Sequence, residues 1–139
     1  MRDNEPTPLH RPSAEEQGAA RANLELRRAA RAAYEARLPE IRAAGVAALG
    51  RLMKIAHGDS GQCKRVAAFL LGLYNGDRFP FDLTDFRTLD REIFDDCMDL
   101  LRMDYSPQQE VHCYFENGGA RFEQLAKDWN IVDRVYGNK

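Results

Sequence analysis

The sequence contains no long hydrophobic run, and no stretch approaches the roughly 20 apolar residues that a membrane-spanning helix needs. Its first ten residues, which include Arg2, Asp3 and Glu5, lack the apolar core of a secretory signal peptide. Hydrophobic residues make up 44% of the chain and charged residues 30%, a balance that excludes a wholly disordered protein. We therefore expect a cytoplasmic protein that does not contact a membrane.

Cysteine is scarce as well. The three cysteines, Cys63, Cys97 and Cys113, lie far apart and include no Cys-x-x-Cys pair, which argues against a disulfide framework and a structural zinc site. No glycine-rich phosphate loop or nucleophile turn is present. His112 is the neighbour of Cys113, but neighbours in a helix point about 100° apart, so we expect two packing residues that do not share a proton. We expect no metal, no cofactor, no catalytic residue and no enzyme.

Charge and composition divide the chain, whose 139 residues suffice for one domain with short tails. Residues 1–56 hold ten Lys or Arg against seven Asp or Glu, whereas residues 57–139 hold ten against fifteen. Most alanines lie between Ala14 and Ala48, and nearly all aromatic residues follow residue 68. The pattern predicts a packed core in the C-terminal part.

Helical periodicity predicts a mainly α fold, a single-domain bundle of five or six helices, because no alternating run is long enough for a convincing sheet. Ser13 with Glu16 is typical of a capping box, and so is Asp59 with Gln62. Pro39 predicts a helix boundary, since proline disfavours the helical conformation of the residue before it. The expected helices span about residues 13–38, 39–56, 61–74, 88–103 and 107–115, followed by a last helix that ends near residue 129.

Turn residues complete this prediction. Gly58 is expected to form a left-handed C-terminal cap, and Asn75-Gly76 is expected to end the third helix. Residues 77–85 are predicted to form a loop or a short extended stretch. The segment Glu110 to Trp129 could be a DNA-binding helix-turn-helix, but Tyr114 occupies its usual small position, so we favour an antiparallel helical hairpin.

We divide the chain into a flexible arm at residues 1–12, an Ala/Arg-rich helix at residues 13–38 and a compact helical domain at residues 39–139. A helix of about 25 residues is roughly 37 Å long, which exceeds the diameter of about 30 Å expected for a small domain. Its narrow stripe buries little apolar area; the stripe consists of Ala22, Leu26, Ala30 and Ala33. We expect this helix to project and to be stabilised by self-association or by a partner.

Short segments of the C-terminal part resemble a known family. They are Tyr74-Asn75-Gly76, Phe81-Asp82-Leu83-Thr84-Asp85, Leu89-Asp90-Arg91, Arg102-Met103-Asp104, Glu110-Val111-His112, Tyr114-Phe115-Glu116-Asn117-Gly118-Gly119 and Trp129. Over about residues 54–131 the chain resembles a small bacterial domain family of unknown function that is found on plasmids and integrative elements. The resemblance brings no catalytic residues. It implies a bacterial cytoplasm and a mobile-element gene, with a role in maintenance, transfer or evasion of host defences.

An acidic helix face is one candidate partner-binding surface. It is formed on the predicted fourth helix by Glu92, Asp95, Asp96 and Asp99. Such a face can dock on a basic partner surface, including one that normally holds nucleic acid. The alternative is an ordinary solvated face, in which Arg91 pairs with Asp95 and Arg102 lies near Asp99.

A basic cluster on the first helix is the other candidate surface; its members are Arg27, Arg28, Arg31 and Tyr34. The guanidinium groups could meet phosphates while the tyrosine ring stacks on a base. The alternative is a solvated arginine face that Glu25 and Glu35 partly neutralise. A sequence pI near 5.9 weighs against strong nucleic-acid binding.

These observations favour a non-catalytic protein-binding accessory protein of a bacterial mobile genetic element. It would bind a host or element-encoded protein, and inhibition of a host defence system (anti-CRISPR-like) is one concrete form. A homo-oligomer through the N-terminal helix is a further expectation. The alternative function is a nucleic-acid-binding regulator that uses the basic N-terminal helix.

Overall fold

The structure, a computed structural model, describes residues 4–137. Within that range the regular elements are four α-helices and two short 3₁₀ helices, with no strand, which confirms the predicted mainly α helical bundle. The α-helices are α1 (Ala14–Ala56), α2 (Gly61–Tyr74), α3 (Arg91–Tyr105) and α4 (Gly118–Asp128). The 3₁₀ helices are Leu83–Thr88 and Val111–Tyr114.

The chain divides into two compact units, one that ends at Arg37 and one that begins at Leu38. Helix α1 has 43 residues and runs through this division with Pro39 inside it, so the predicted break at Pro39 is wrong. A proline in a helix interior removes one backbone hydrogen bond and costs about 3 kcal/mol. That cost is local, and the alanine-rich sequence on both sides favours helix strongly enough to continue through it.

The first unit contains the start of α1. Residues 4–12 of the predicted arm lack regular secondary structure, whereas residues 1–3 lie outside the described range. The backbone N–H of Glu16 donates to Oγ of Ser13 at 3.1 Å, and the backbone N–H of Ser13 donates to Oε2 of Glu16 at 3.3 Å. This reciprocal pair is the predicted capping box, and it explains why α1 begins at Ala14.

The second unit contains the packed core, and every buried apolar side chain of the described residues lies at Ala48 or later. This confirms that the core is C-terminal. Helices α1 and α2 contribute five buried apolar residues each. The largest fully buried side chains are Phe122, Leu49, Leu52, Leu70, Leu71, Leu100, Leu125 and Val66.

Two close approaches hold α1 against the rest of this unit. A Cβ added at Gly45 would overlap the side chain of Met103, so glycine allows α1 and α3 to touch. At the end of α1, Nε1 of Trp129 donates to the carbonyl oxygen of Ala56 at 2.7 Å. This bond serves one of the last helix carbonyls, which have no donor within their own helix.

The limits of α2 match the helix predicted at residues 61–74, but its N-cap lies one residue later than predicted. Ser60, not Asp59, is the N-cap, and its Oγ accepts from the backbone N–H of Cys63 at 3.2 Å. The side chain of Gln62 instead bonds to the side chain and the backbone N–H of Asp90, the N-cap of α3.

Gly58 is not left-handed, so that prediction is wrong as well. Its backbone N–H donates to the carbonyl of Ile55, which closes α1 by a tight turn.

The later elements are shifted or shorter than predicted. Helix α3 begins at Arg91, because Leu83–Thr88 forms a separate 3₁₀ helix within and beyond the expected loop. The expected helix at 107–115 is a single 3₁₀ turn, Val111–Tyr114, so neither a helix-turn-helix nor a hairpin of two full helices is present there. The turn packs tightly on α4, since a Cβ at Gly118 would overlap the backbone of His112.

The contact between α1 and α3 predicts opposite effects for two glycines of the same helix. Gly45→Ala should lower the free energy of unfolding by about 2 kcal/mol, because the new methyl group meets Met103. Gly50→Ala should raise it by about 1 kcal/mol, since nothing lies within 4 Å of its new Cβ and alanine is the better helix former. Urea denaturation measures both, and equal effects at the two positions would contradict the packing described.

Candidate functional site

The predicted basic cluster lies on one side of α1. At about 100° per residue, Arg27, Arg28, Arg31 and Tyr34 fall within roughly a third of the helix circumference. The three arginines are exposed and Tyr34 is half-buried. Nε of Arg31 donates to Oε1 of Glu35 at 3.1 Å, which is the partial neutralisation expected from Glu35. Arg27 and Arg28 form no ion pair with any residue in the 4–137 range.

The opposite side of the same helix segment carries small apolar residues at alternating spacings of three and four. We call it the alanine–leucine face; it consists of Ala19, Ala22, Leu26, Ala29, Ala33 and Ala36. All six residues are exposed, and 69% of Leu26 is accessible to solvent. Such spacing is typical of a helix face that packs against another helix. The N-terminal part of α1 thus carries two chemically different surfaces.

Half of the predicted acidic face is paired within the chain. Its four residues share one side of α3, but only Glu92 and Asp95 are fully exposed. Asp96 accepts from Nε and Nη2 of Arg51 at 3.0 and 2.8 Å, and Asp99 accepts from Arg102 at 3.1 Å.

The pair between Arg102 and Asp99 was expected from the sequence. That between Arg51 and Asp96 was not, because it joins α1 to α3 across 45 residues. The expected pair between Arg91 and Asp95 is absent from the described ion pairs.

Sequence reasoning missed a charged network around Arg78. Its guanidinium donates to both carboxylate oxygens of Glu123 at 2.7 and 2.6 Å and to Oδ2 of Asp133 at 2.8 Å. The Tyr74 hydroxyl donates to Glu123 at 2.6 Å, and Oδ1 of Asp133 accepts from the backbone N–H groups of residues 135 and 136. The network fastens the segment after α4 to the turn after α2. No local sequence motif indicates this network, because Glu123 and Asp133 lie 45 and 55 residues from Arg78.

The network shifts the titration of its carboxylates. Hydrogen bonds from Arg78 and, more weakly, from Tyr74 hold the pKa of Glu123 below its ordinary value, against the effect of burial. Burial opposes ionisation of Asp133, but the backbone N–H of Tyr136 and the guanidinium of Arg78 outweigh it and lower the pKa of that carboxyl. Both carboxylates are therefore held in the charged form that binds Arg78.

A cleft of about 540 Å³ lies beside this network. Its lining combines apolar groups of Phe79, Ala126 and Ile131 with charged groups of opposite sign. The arginine and Lys127 balance the two carboxylates, so the lining has no net charge. The guanidinium of Arg78 also lies 4.7 Å from the ring centroid of Phe79, which adds a cation–π contact. The cleft therefore favours neither an anion nor a cation.

The cysteines occupy three different environments. Burial, and secondarily the charge of Asp96, raises the pKa of Cys97 to about 12, and Sγ of Cys63 accepts from the Ser60 hydroxyl at 3.1 Å. Cys113 is exposed, and its Sγ lies 3.6 Å from Nε2 of His112.

This contact contradicts the expectation that the two side chains cannot share a proton, and Cys113 is exposed rather than packed. His112 is a packing residue as expected, because it is half-buried and its ring lies edge-on to Tyr74 at 5.1 Å. The two residues belong to a short 3₁₀ turn rather than an α-helix. Nδ1 of His112 has no hydrogen-bond partner in the described structure, so no third group orients the ring as in a catalytic triad.

Among residues 4–137, no three His, Cys, Asp or Glu side chains converge as ligands of a metal ion. In the same range, no helix combines the length and the apolar character required to cross a membrane.

Comparison with known proteins gives one match. A model of a family of unknown function (DUF7673) matches residues 46–130, which is more than half of the chain. The matched range agrees closely with the resemblance found over about residues 54–131, and it leaves out the part of α1 that carries the two surfaces. Neither the curated proteins nor the solved structures contain a match.

The Arg78 network predicts how stability depends on pH. A carboxylate whose pKa is lowered by folding stabilises the protein above its unfolded pKa, about 4, and this contribution is lost as pH falls further. Arg78→Met should cost about 3 kcal/mol at pH 7, because it leaves two carboxylates without their cation, and should flatten the loss of stability between pH 5 and 2.

Arg102→Met is the control for this substitution, since it removes an exposed pair and should cost less than about 0.5 kcal/mol. Urea denaturation of the two variants across this pH range is the measurement. Equal costs for both variants at pH 7 would contradict the structural role of Arg78.

Proposed function

Because the chain belongs to a family of unknown function (DUF7673), we propose its function from its own surfaces: it is a non-catalytic protein-binding protein whose docking element is the N-terminal part of α1. One observation carries the proposal. Every residue from Ala14 to Ala33 is exposed, although the segment is a regular helix with Leu24 and Leu26 on its surface. Most helical stability in proteins comes from packing of one helix face, which this segment lacks in the single chain, so packing against a partner would stabilise it.

The arginine side of this helix is the surface we assign to a different protein. Arg27 and Arg28 are exposed and unpaired within the described chain, and Arg31 is only partly neutralised by Glu35. A partner with an acidic surface would complement these charges and would be steered towards them. The acidic face of α3 is the weaker candidate, because Arg51 and Arg102 already neutralise half of it.

We place this binding activity in the bacterial cytoplasm, in an accessory protein of a mobile genetic element. The resemblance described above supports this setting, in which the partner is a host or element-encoded protein. Inhibition of a host defence system by protein contact is the most specific form of the proposal. It needs no catalytic group, and the clusters around Arg51 and Arg78 serve ion pairs within the fold.

Nucleic-acid binding is the second candidate function, and the same unpaired arginines favour it. The two candidates differ in their dependence on salt. Binding to DNA or RNA weakens steeply with salt, because each neutralised phosphate releases a counterion. Binding to a protein through three arginines should depend on salt more weakly.

The proposal predicts that replacing the three arginines weakens partner binding and leaves the fold intact. The triple variant Arg27→Ala, Arg28→Ala, Arg31→Ala should bind its protein partner at least about tenfold more weakly, through lost charge complementarity. The measurement is quantitative mass spectrometry of proteins that co-purify with the full-length chain, followed by affinity measurement with the purified partner.

A matched control has the same change in charge on exposed arginines elsewhere: Arg87→Ala, Arg91→Ala, Arg134→Ala. It should keep the partner. Equal binding by the two triple variants would contradict the proposal. Recovery of abundant DNA or RNA and no protein, seen as a raised 260/280 nm absorbance ratio, would favour the second candidate function.

A further inference from the structure

The 3₁₀ turn Val111–Tyr114 holds an exposed thiol beside an imidazole, a pairing that is used at reactive cysteines. We infer that Cys113 is a modification site, a thiol that exchanges with small disulfides, and that His112 promotes the exchange as a hydrogen-bond donor to its sulfur. The inference goes beyond the proposed function, because it involves neither the arginines nor any other part of α1. It rests on the access, the position and the protonation of these two side chains.

Access distinguishes Cys113 from the other two cysteines. Cys113 is exposed, whereas Cys97 is fully buried. Cys63 is half-buried, and a Cβ added at Gly58 would overlap its Sγ, so this sulfur is packed against the turn that ends α1. Exchange requires the attacking sulfur to reach a sulfur of the disulfide, so its rate depends on access. Cys113 is therefore the cysteine that a small disulfide can approach.

The fold holds His112 beside this thiol. Nε2 of His112 lies 3.6 Å from Sγ of Cys113, and the ring lies edge-on to Tyr74 with the two centroids 5.1 Å apart. The backbone N–H of Cys113 donates to the carbonyl oxygen of Glu110 at 2.9 Å. A Cβ added at Gly118 would overlap the backbone of His112, so the turn is also packed tightly against the start of α4. Both side chains of the pair are therefore carried by a fixed backbone.

The burial of Nδ1 decides which ring nitrogen of His112 carries the proton. Nδ1 is buried and has no hydrogen-bond partner in the described structure. In a neutral imidazole one nitrogen carries the proton and the other is an acceptor. A proton on Nε2 has the sulfur of Cys113 as its acceptor, whereas a proton on Nδ1 would be a buried N–H with none, which costs free energy. His112 therefore faces the thiol as a donor and not as a base.

The exchange consumes one thiol and one disulfide and forms one of each, so it needs no other oxidant. Cys113 gives its proton to water, and its thiolate attacks one sulfur of the disulfide. The new S–S bond joins Cys113 to one half of the disulfide as the old S–S bond breaks, and the other half leaves as a thiolate that takes a proton from water. Nε2–H of His112 stabilises the attacking thiolate, because hydrogen bonds to charged acceptors are stronger than those to neutral ones.

The first test follows adduct formation in the full-length chain with hydroxyethyl disulfide, an uncharged probe, at pH 7. Mass spectrometry of peptides assigns each adduct to its cysteine. In the parent chain Cys113 should carry the adduct before Cys63 and Cys97, and Cys113→Ser should remove the fast phase. An adduct that forms first on either of the other cysteines would overturn the inference, and this result needs no change at His112.

Two substitutions then separate a donor from a ring that is only a neighbour. His112→Phe keeps a ring beside Tyr74 but removes the N–H, and it should slow the adduct at Cys113 about threefold, because a stabilised thiolate is more abundant but less nucleophilic. His112→Gln keeps an N–H donor and should react at close to the parent rate. Circular dichroism verifies that both variants fold. Equal rates for the parent and His112→Phe, or a rate for His112→Gln as low as that for His112→Phe, would overturn the role of His112 as a donor.

Discussion

Burial of helix α2 is the constraint on which the second unit depends. Its 14 residues include five that are buried, and α4 and the second 3₁₀ turn pack against it. The C-terminal half of α1 adds Leu49 and Leu52 to the same core, and α3 adds Leu100. The ion pairs are arranged around this core: Arg51 with Asp96 joins α1 to α3, and Arg78 joins the turn after α2 to the end of the chain. These ion pairs link elements that also pack against each other in the hydrophobic core.

Helix α1 serves two purposes along one continuous element. After residue 45 its leucines are buried in the core, whereas every side chain of residues 14–33 is exposed to solvent. Alanine stabilises the helix locally but supplies little area to bury, so the sequence favours helix there without favouring a fixed place in the fold. This segment is the docking element that we propose, and its two sides differ in chemistry: one carries arginines and the other carries small apolar groups.

Local features were predictable from the sequence, and long-range ones were not. The capping box of Ser13 and Glu16, the limits of α2 and the C-terminal core follow from spacing and periodicity within a few residues. The helix boundary predicted at Pro39 was wrong because the energetic cost of one proline is local. Good helix formers on both sides let the helix continue through it.

The predicted capping box of Asp59 and Gln62 failed for a different reason: Gln62 has a partner, Asp90, that lies 28 residues away. The Arg78 network was missed for the same kind of reason, because Glu123 and Asp133 lie 45 and 55 residues from Arg78 and no sequence motif connects them. The sequence identified both charged surfaces as sets of residues, but it did not show their pairing. In the structure Arg27 and Arg28 of α1 are unpaired, whereas Asp96 and Asp99 of α3 are paired.

The central claim is that residues 14–37 form an interaction element, and hydrogen exchange tests it most directly. The full-length chain is measured alone and with its partner, and amides of residues 14–37 are compared with those of α2. Our account predicts that protection of residues 14–37 rises when the partner is bound, whereas protection of the buried α2 stays constant. Protection of residues 14–37 that the partner leaves unchanged would contradict it.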